Sequence, residues 1–143
     1  MKKALYVLDD YPYGVIYGPD ERADIESLVE LAGPQMTRNA VKENPEILKD
    51  VEIILSGWGG PKVDADFLAD APNLKVVLYG AGSVKGIVSD AFWERGVMIA
   101  SAWGANAVPV AEYTLSQILW CLKCGWQFAL QIREIKQFPS PRM

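Results

Sequence analysis

Apolar positions come in short, unalternating runs along this chain. Residues 4–8 form the first, closed by Asp9-Asp10, and residues 51–55 and 74–79 form two more, rich in Val, Ile and Leu. A strand without a polar face is covered on both sides, which predicts a parallel sheet lying between helices. A further strand is predicted over 97–100 and a short second strand over 34–37. Helical patterns fill the intervals. Residues 19–31 carry Pro19 in the first turn and Asp20, Glu21 and Asp24 at the positive end of the helix dipole, with Gly33 as the stop. Residues 45–49, 63–71 and 89–95 read as shorter helices, the last halted by Gly96. The stretch after Asp10, with its prolines and tyrosines, reads as a loop.

Strand and helix alternate about five times. This order predicts an α/β fold, a doubly wound parallel sheet of about five strands. Ligands of such folds sit beyond the carboxyl ends of the strands. The loops there are Asp9-Asp10, Ser56-Gly57-Trp58-Gly59-Gly60, Gly80-Ala81-Gly82-Ser83 and residues 101–105. Trp58 and Trp103 lie in these loops, where an aromatic either lines a small-molecule pocket or caps the core beneath; the cap is the reading adopted.

The last third breaks the rhythm. Residues 106 to about 136 form one continuous helical pattern, roughly 45 Å long, with Asn106 as its N-cap and Pro109 in its first turn. Val108, Ala111, Leu115, Ile118, Leu122, Trp126 and Ala129 mark one apolar face. Tyr113, Trp120, Cys124, Phe128 and Ile135 mark a second. A surface helix of a complete domain shows one such face. Two faces predict a partner on the far side, either a second copy of the chain or another domain.

Composition narrows the chemistry. With 143 residues, half of them hydrophobic and 22% charged, the chain has the size of one soluble globular domain. A net charge of −4 argues against a nucleic-acid partner. The histidine count is zero, so no imidazole base, His metal ligand or Ser-His-Asp triad exists within these residues. Cys121 and Cys124 have redox-pair spacing, but they fall inside the apolar helical pattern with no second ligand pair for zinc. No metal site is expected, and the cysteine usage fits a reducing, cytoplasmic setting. No apolar stretch is long enough to span a membrane, and the first residues read as a strand rather than a signal peptide.

Two motifs invite chemistry. Gly80-Ala81-Gly82-Ser83-Val84-Lys85-Gly86 approaches a dinucleotide fingerprint, but its last glycine comes one position late and the following acid is missing. It reads either as a turn offering bare N–H groups to an anion or as a turn needed for chain reversal. Asp9-Asp10 suggests the acid pair of a phosphorelay receiver, but Ser56 stands where the phosphorylated aspartate would be. The pair is read as ending a strand at the solvent edge.

Several segments follow one another at characteristic spacings: Leu74-Lys75-Val76-Val77, Gly80-Ala81-Gly82-Ser83, Glu94-Arg95-Gly96-Val97, and Asn106-Ala107-Val108-Pro109-Val110-Ala111-Glu112. Together they resemble the D-isomer-specific 2-hydroxyacid dehydrogenases, most specifically over residues 51–123. The resemblance implies a flavodoxin-like substrate-binding domain over 1–105, a long linking and dimer-forming helix over 106–137, and a tail over 138–143. It implies that Ala81, Gly82 and Ser83 hold the substrate carboxylate, with Ser83 also near the nicotinamide, and that Asn106 lies at the cleft. It further implies NAD or NADP in the complete enzyme, a small 2-hydroxy or 2-oxo acid as substrate, and a homodimer. The sequence departs from the family in lacking the G-x-G-x-x-G domain and the acid–base histidine, and in reading Gly-Ser-Val-Lys-Gly where many members carry Gly-x-Gly-x-Asp. The expectation is therefore a truncated substrate-binding portion that is inactive alone and binds no cofactor by itself. The rival is a non-catalytic dimerisation or small-anion-binding module retaining the fold.

Overall fold

A computed structural model describes residues 1–138. The strands are β1 (Lys2–Val7), β2 (Val29–Leu31), β3 (Ile53–Ser56), β4 (Val76–Tyr79) and β5 (Met98–Ser101). They form one sheet in the order β2-β1-β3-β4-β5, every neighbouring pair parallel. The helices are α1 (Asp10–Ile16), α2 (Pro19–Leu28), α3 (Arg38–Glu43), α4 (Ala65–Asp70), α5 (Asp90–Glu94), α6 (Trp103–Leu122) and α7 (Gly125–Ile135), with a 3₁₀ turn at Pro45–Leu48.

The chain moves one way from β1 to β2 and the other way from β3 to β5. Right-handed crossovers then place the connecting helices on opposite faces. The core divides accordingly. Ala4, Tyr6 and Leu8 pack with Tyr17, Ile53 and Leu55 on the α1–α2 side. Leu5 and Val7 pack with Val41, Leu48, Phe67 and Phe92 on the other. The unalternating runs at β1 and β3 thus reflect burial on both faces.

β4 and β5 differ from that expectation. Leu78 is 39% and Met98 66% exposed. These two belong to the α1–α2 side, where a groove of about 410 Å³ runs along Tyr17, Leu28, Leu55, Leu78 and Ala100.

Other differences have local causes. The helix expected over 19–31 ends at Leu28, because Val29 and Leu31 alternate with exposed Glu30 and pair as an edge strand with Lys2–Ala4. The strand expected over 34–37 reduces to a single bridge between Met36 and Val7. α1 replaces the expected loop, and its Pro12 is tolerated because N–H groups in a first turn have no helical partner. α3 starts at Thr37, whose hydroxyl accepts from the Ala40 N–H at 3.3 Å.

The continuous helix over 106–136 is two helices. Cys124 takes a left-handed conformation at φ 54°, and the Trp120 indole lies against Gly125 where a side chain would have no room. Trp120 and Trp126 then meet edge to face at 6.0 Å between centroids. Asn106 is not an N-cap, since α6 already begins at Trp103, and Pro109 sits inside the helix beyond its first turn. The chain divides into two compact units, Met1–Gly104 and the residues from Ala105 onward.

Candidate functional site: the carboxyl edge of the sheet

Parallel strands deliver their following loops to one edge, and hydrogen bonds fix those loops to one another. The Gly80 N–H donates to the Ser56 carbonyl at 2.8 Å, joining the start of the β4 loop to the end of β3. The Ala102 N–H donates to the Tyr79 carbonyl at 3.0 Å, joining the β5 end to β4. Ser56 is fully buried, and its hydroxyl donates to the Val7 carbonyl at 2.8 Å. The Ser56 carbonyl also accepts from the Tyr17 hydroxyl at 2.8 Å. Burial pushes the Tyr17 phenol far up from its ordinary value, so it stays a neutral donor.

Residues 57–60 make a tight turn. The Gly60 N–H donates to the Gly57 carbonyl at 3.0 Å and Gly59 has φ +80°. A positive φ at the third position marks a type II turn, which places Trp58 at the outer corner. The Asp9 N–H donates to the Trp58 carbonyl at 3.3 Å, and the Asp9 carboxylate lies 3.9 Å from the Arg38 guanidinium.

After β4 the chain bends at Ala81 and Gly82. Ala81 is buried and anchors the loop, Gly82 is half-buried and Ser83 is exposed. Among the described residues, the N–H groups of Ala81, Gly82 and Ser83 donate to no protein acceptor. Three adjacent free amides on a rigid loop can hold an anion. Ala81, Gly82 and Ser83 are thus together. Asn106, half-buried on α6, belongs to the second compact unit. No cluster of three metal-ligating side chains occurs among the described residues, nor is any helix there long and apolar enough to cross a membrane.

Residues 16–136 match the family described as D-isomer specific 2-hydroxyacid dehydrogenase, catalytic domain. The chain belongs to this family. An erythronate-4-phosphate dehydrogenase from Pseudoalteromonas atlantica is 34% identical over 85 residues, 59% of this chain and 22% of that relative. The fold is shared with a phosphoglycerate oxidoreductase from Rhizobium etli, at a TM-score of 0.71 and 19% identity, covering 99% of this chain and 43% of that one. It is also shared with D-lactate dehydrogenase from Aquifex aeolicus, solved with NAD and lactic acid, at a TM-score of 0.70 and 16% identity over 96% and 39% of the two chains. The chain spans about a fifth of the curated relative and about two-fifths of these structural neighbours.

For a member of this dehydrogenase family, the segments expected to follow the strands are the ones that lie at the carboxyl edge. The reading of Trp58 and Trp103 as caps is overturned: they are 47% and 70% exposed. Both tryptophans follow strand ends directly, which was the available signal. The ties of Asp9 to Trp58 and to Arg38 had no sequence signal, since they join three separate segments.

Proposed function

We propose that this chain is the substrate-binding portion of an NAD- or NADP-dependent oxidoreductase acting on the CH–OH group of 2-hydroxy acids. The observation that carries this reading is the set of free amides at Ala81, Gly82 and Ser83, on the β4 loop of a chain from this family. They would receive the carboxylate of a 2-hydroxy or 2-oxo acid, leaving C2 oriented outward for hydride transfer. In reduction, C2 takes a hydride and its oxygen takes a proton. With no histidine in the chain, no imidazole of these residues supplies that proton.

The described residues do not fit a dinucleotide's pyrophosphate. The β4 loop passes through a turn at Lys85 to Ile87, and the next helix, α5, has only five residues. Such a loop lacks the long helix N-terminus that a pyrophosphate requires. A contact between Ser83 and a nicotinamide end would remain compatible with this loop.

A homodimer is part of the proposal. α6 and α7 expose apolar side chains around their circumference, among them Val108, Leu115, Ile118, Leu119, Trp126 and Leu130. So large an apolar surface is a protein-binding feature. The same observation is what the rival, a non-catalytic dimerisation module, would rest on.

Amide NMR separates them. Titrating pyruvate should shift the Gly82 and Ser83 resonances. A dimer whose loop ignores 2-oxo acids would favour the rival. Calorimetry with NADH is expected to show no binding at micromolar concentration.

A further inference from the structure

Three consecutive strand ends of the carboxyl edge lead, in spatial order, to an exposed indole on a turn, the free amides on a loop and a second exposed indole at the start of α6. Trp58 follows β3, Ala81 to Ser83 follow β4, and Trp103 follows β5. β4 lies between β3 and β5, so the two flanking strands are on the order of 10 Å apart. Both indoles are presented by fixed backbone. Trp58 stands at the corner of a hydrogen-bonded turn, and the residue before Trp103 is tied to Tyr79. Tryptophan is among the side chains that gain most from being covered. Two of them left exposed on either side of an anion cradle form an apolar frame around a polar centre, the usual make-up of a small-molecule site.

We infer that the substrate is a 2-oxo or 2-hydroxy acid with an aromatic side chain, held by its carboxylate on the Gly82 and Ser83 amides and by its ring against Trp58 and Trp103. This rests on the substrate-binding reading above and adds the class of side chain. A methyl group in place of the ring offers the indoles little area, so small acids bind through the carboxylate alone. An aromatic ring adds apolar contact and edge or offset stacking.

The test compares phenylpyruvate with pyruvate, which carry the same charged group, by following the Gly82 and Ser83 amide resonances. Phenylpyruvate is expected to bind about ten-fold more tightly, the equivalent of one well-made aromatic contact. The ratio should fall in Trp58→Ala and in Trp103→Ala and vanish in the double variant. Trp93→Ala, which removes an exposed indole on α5, should leave it intact. Equal affinities for the two acids, or a ratio that survives the double substitution, would overturn the inference while leaving the substrate-binding reading in place. If neither acid moves these resonances, both readings fall together.

Discussion

The carboxylate of Asp9 occupies the space that a side chain at Gly59 would need. A Cβ built on Gly59 falls within the Asp9 carboxyl group, and Gly59 has φ +80°. Position 59 is therefore restricted twice, by backbone conformation and by contact.

Gly59→Ala should destabilise the chain by about 1–3 kcal/mol from the backbone conformation alone, with a further cost from displacing Asp9. Asp9→Ala should relieve only the second part. Urea denaturation of the two single variants and the double variant checks this. Coupling of at least about 0.5 kcal/mol is expected, and strict additivity would show that the contact does not matter. Trp58 immediately precedes Gly59, so the same variant should also weaken any discrimination that depends on Trp58.

Tyr6 and Tyr17 pack edge to face with centroids 5.1 Å apart, yet their hydroxyls differ. The Tyr17 hydroxyl donates to the Ser56 carbonyl, while that of Tyr6 is buried without a partner among the described residues. A buried, unpaired hydroxyl costs free energy that a paired one recovers. Tyr6→Phe should therefore stabilise by about 1 kcal/mol and Tyr17→Phe destabilise by about the same. Thermal unfolding of both variants decides it, and equal effects of one sign would contradict the assignment.

The same phenols set the alkaline limit of stability. Burial pushes Tyr6 up to about 12 and raises Tyr17 and Tyr79 as well. In the unfolded chain each ionises near pH 10. Below that value both states hold the proton and the phenols contribute no pH dependence. Above it the unfolded state holds fewer protons than the folded state, so stability falls as pH rises. Midpoints should fall steadily from about pH 10 to 12, and less steeply in the Tyr6→Phe/Tyr17→Phe double variant. An unchanged slope in that variant would rule these phenols out as the cause.

What could be read from sequence was whatever depends on local pattern. β1, β3, β4 and β5 fall within two residues of their expected bounds, because runs of Val, Ile and Leu fit only a covered strand. β2 was hidden because Val29 and Leu31 also continue the helical period of α2, and only pairing with β1 decides between them. α1 was hidden because proline and glycine at positions 12 and 14 carry a loop signature. The break at Cys124 depends on Trp120 settling over Gly125, a contact that no periodicity records. At the candidate site, the predicted strand ends marked the loops. Exposure of Trp58 and Trp103 could not be read, since an aromatic residue in a loop has the same spelling whether it covers a core or faces outward.

The break also bears on how α6 and α7 meet a partner. Once divided, each helix turns its own apolar set outward, and Leu115, Ile118 and Leu119 lie on consecutive turns of α6 with more than half their surface exposed. If a second copy covers them, a charge placed in their midst must be buried without a counter-ion, which is strongly unfavourable. Ile118→Glu should then convert a dimer into a monomer in sedimentation experiments, while thermal unfolding of the sheet unit stays unchanged, since Ile118 is itself exposed. Glu112→Gln, a change at an exposed charged position of the same helix, should leave the dimer intact. A wild-type chain that sediments as a monomer, or a dimer that tolerates Ile118→Glu, would exclude this surface as the interface between copies.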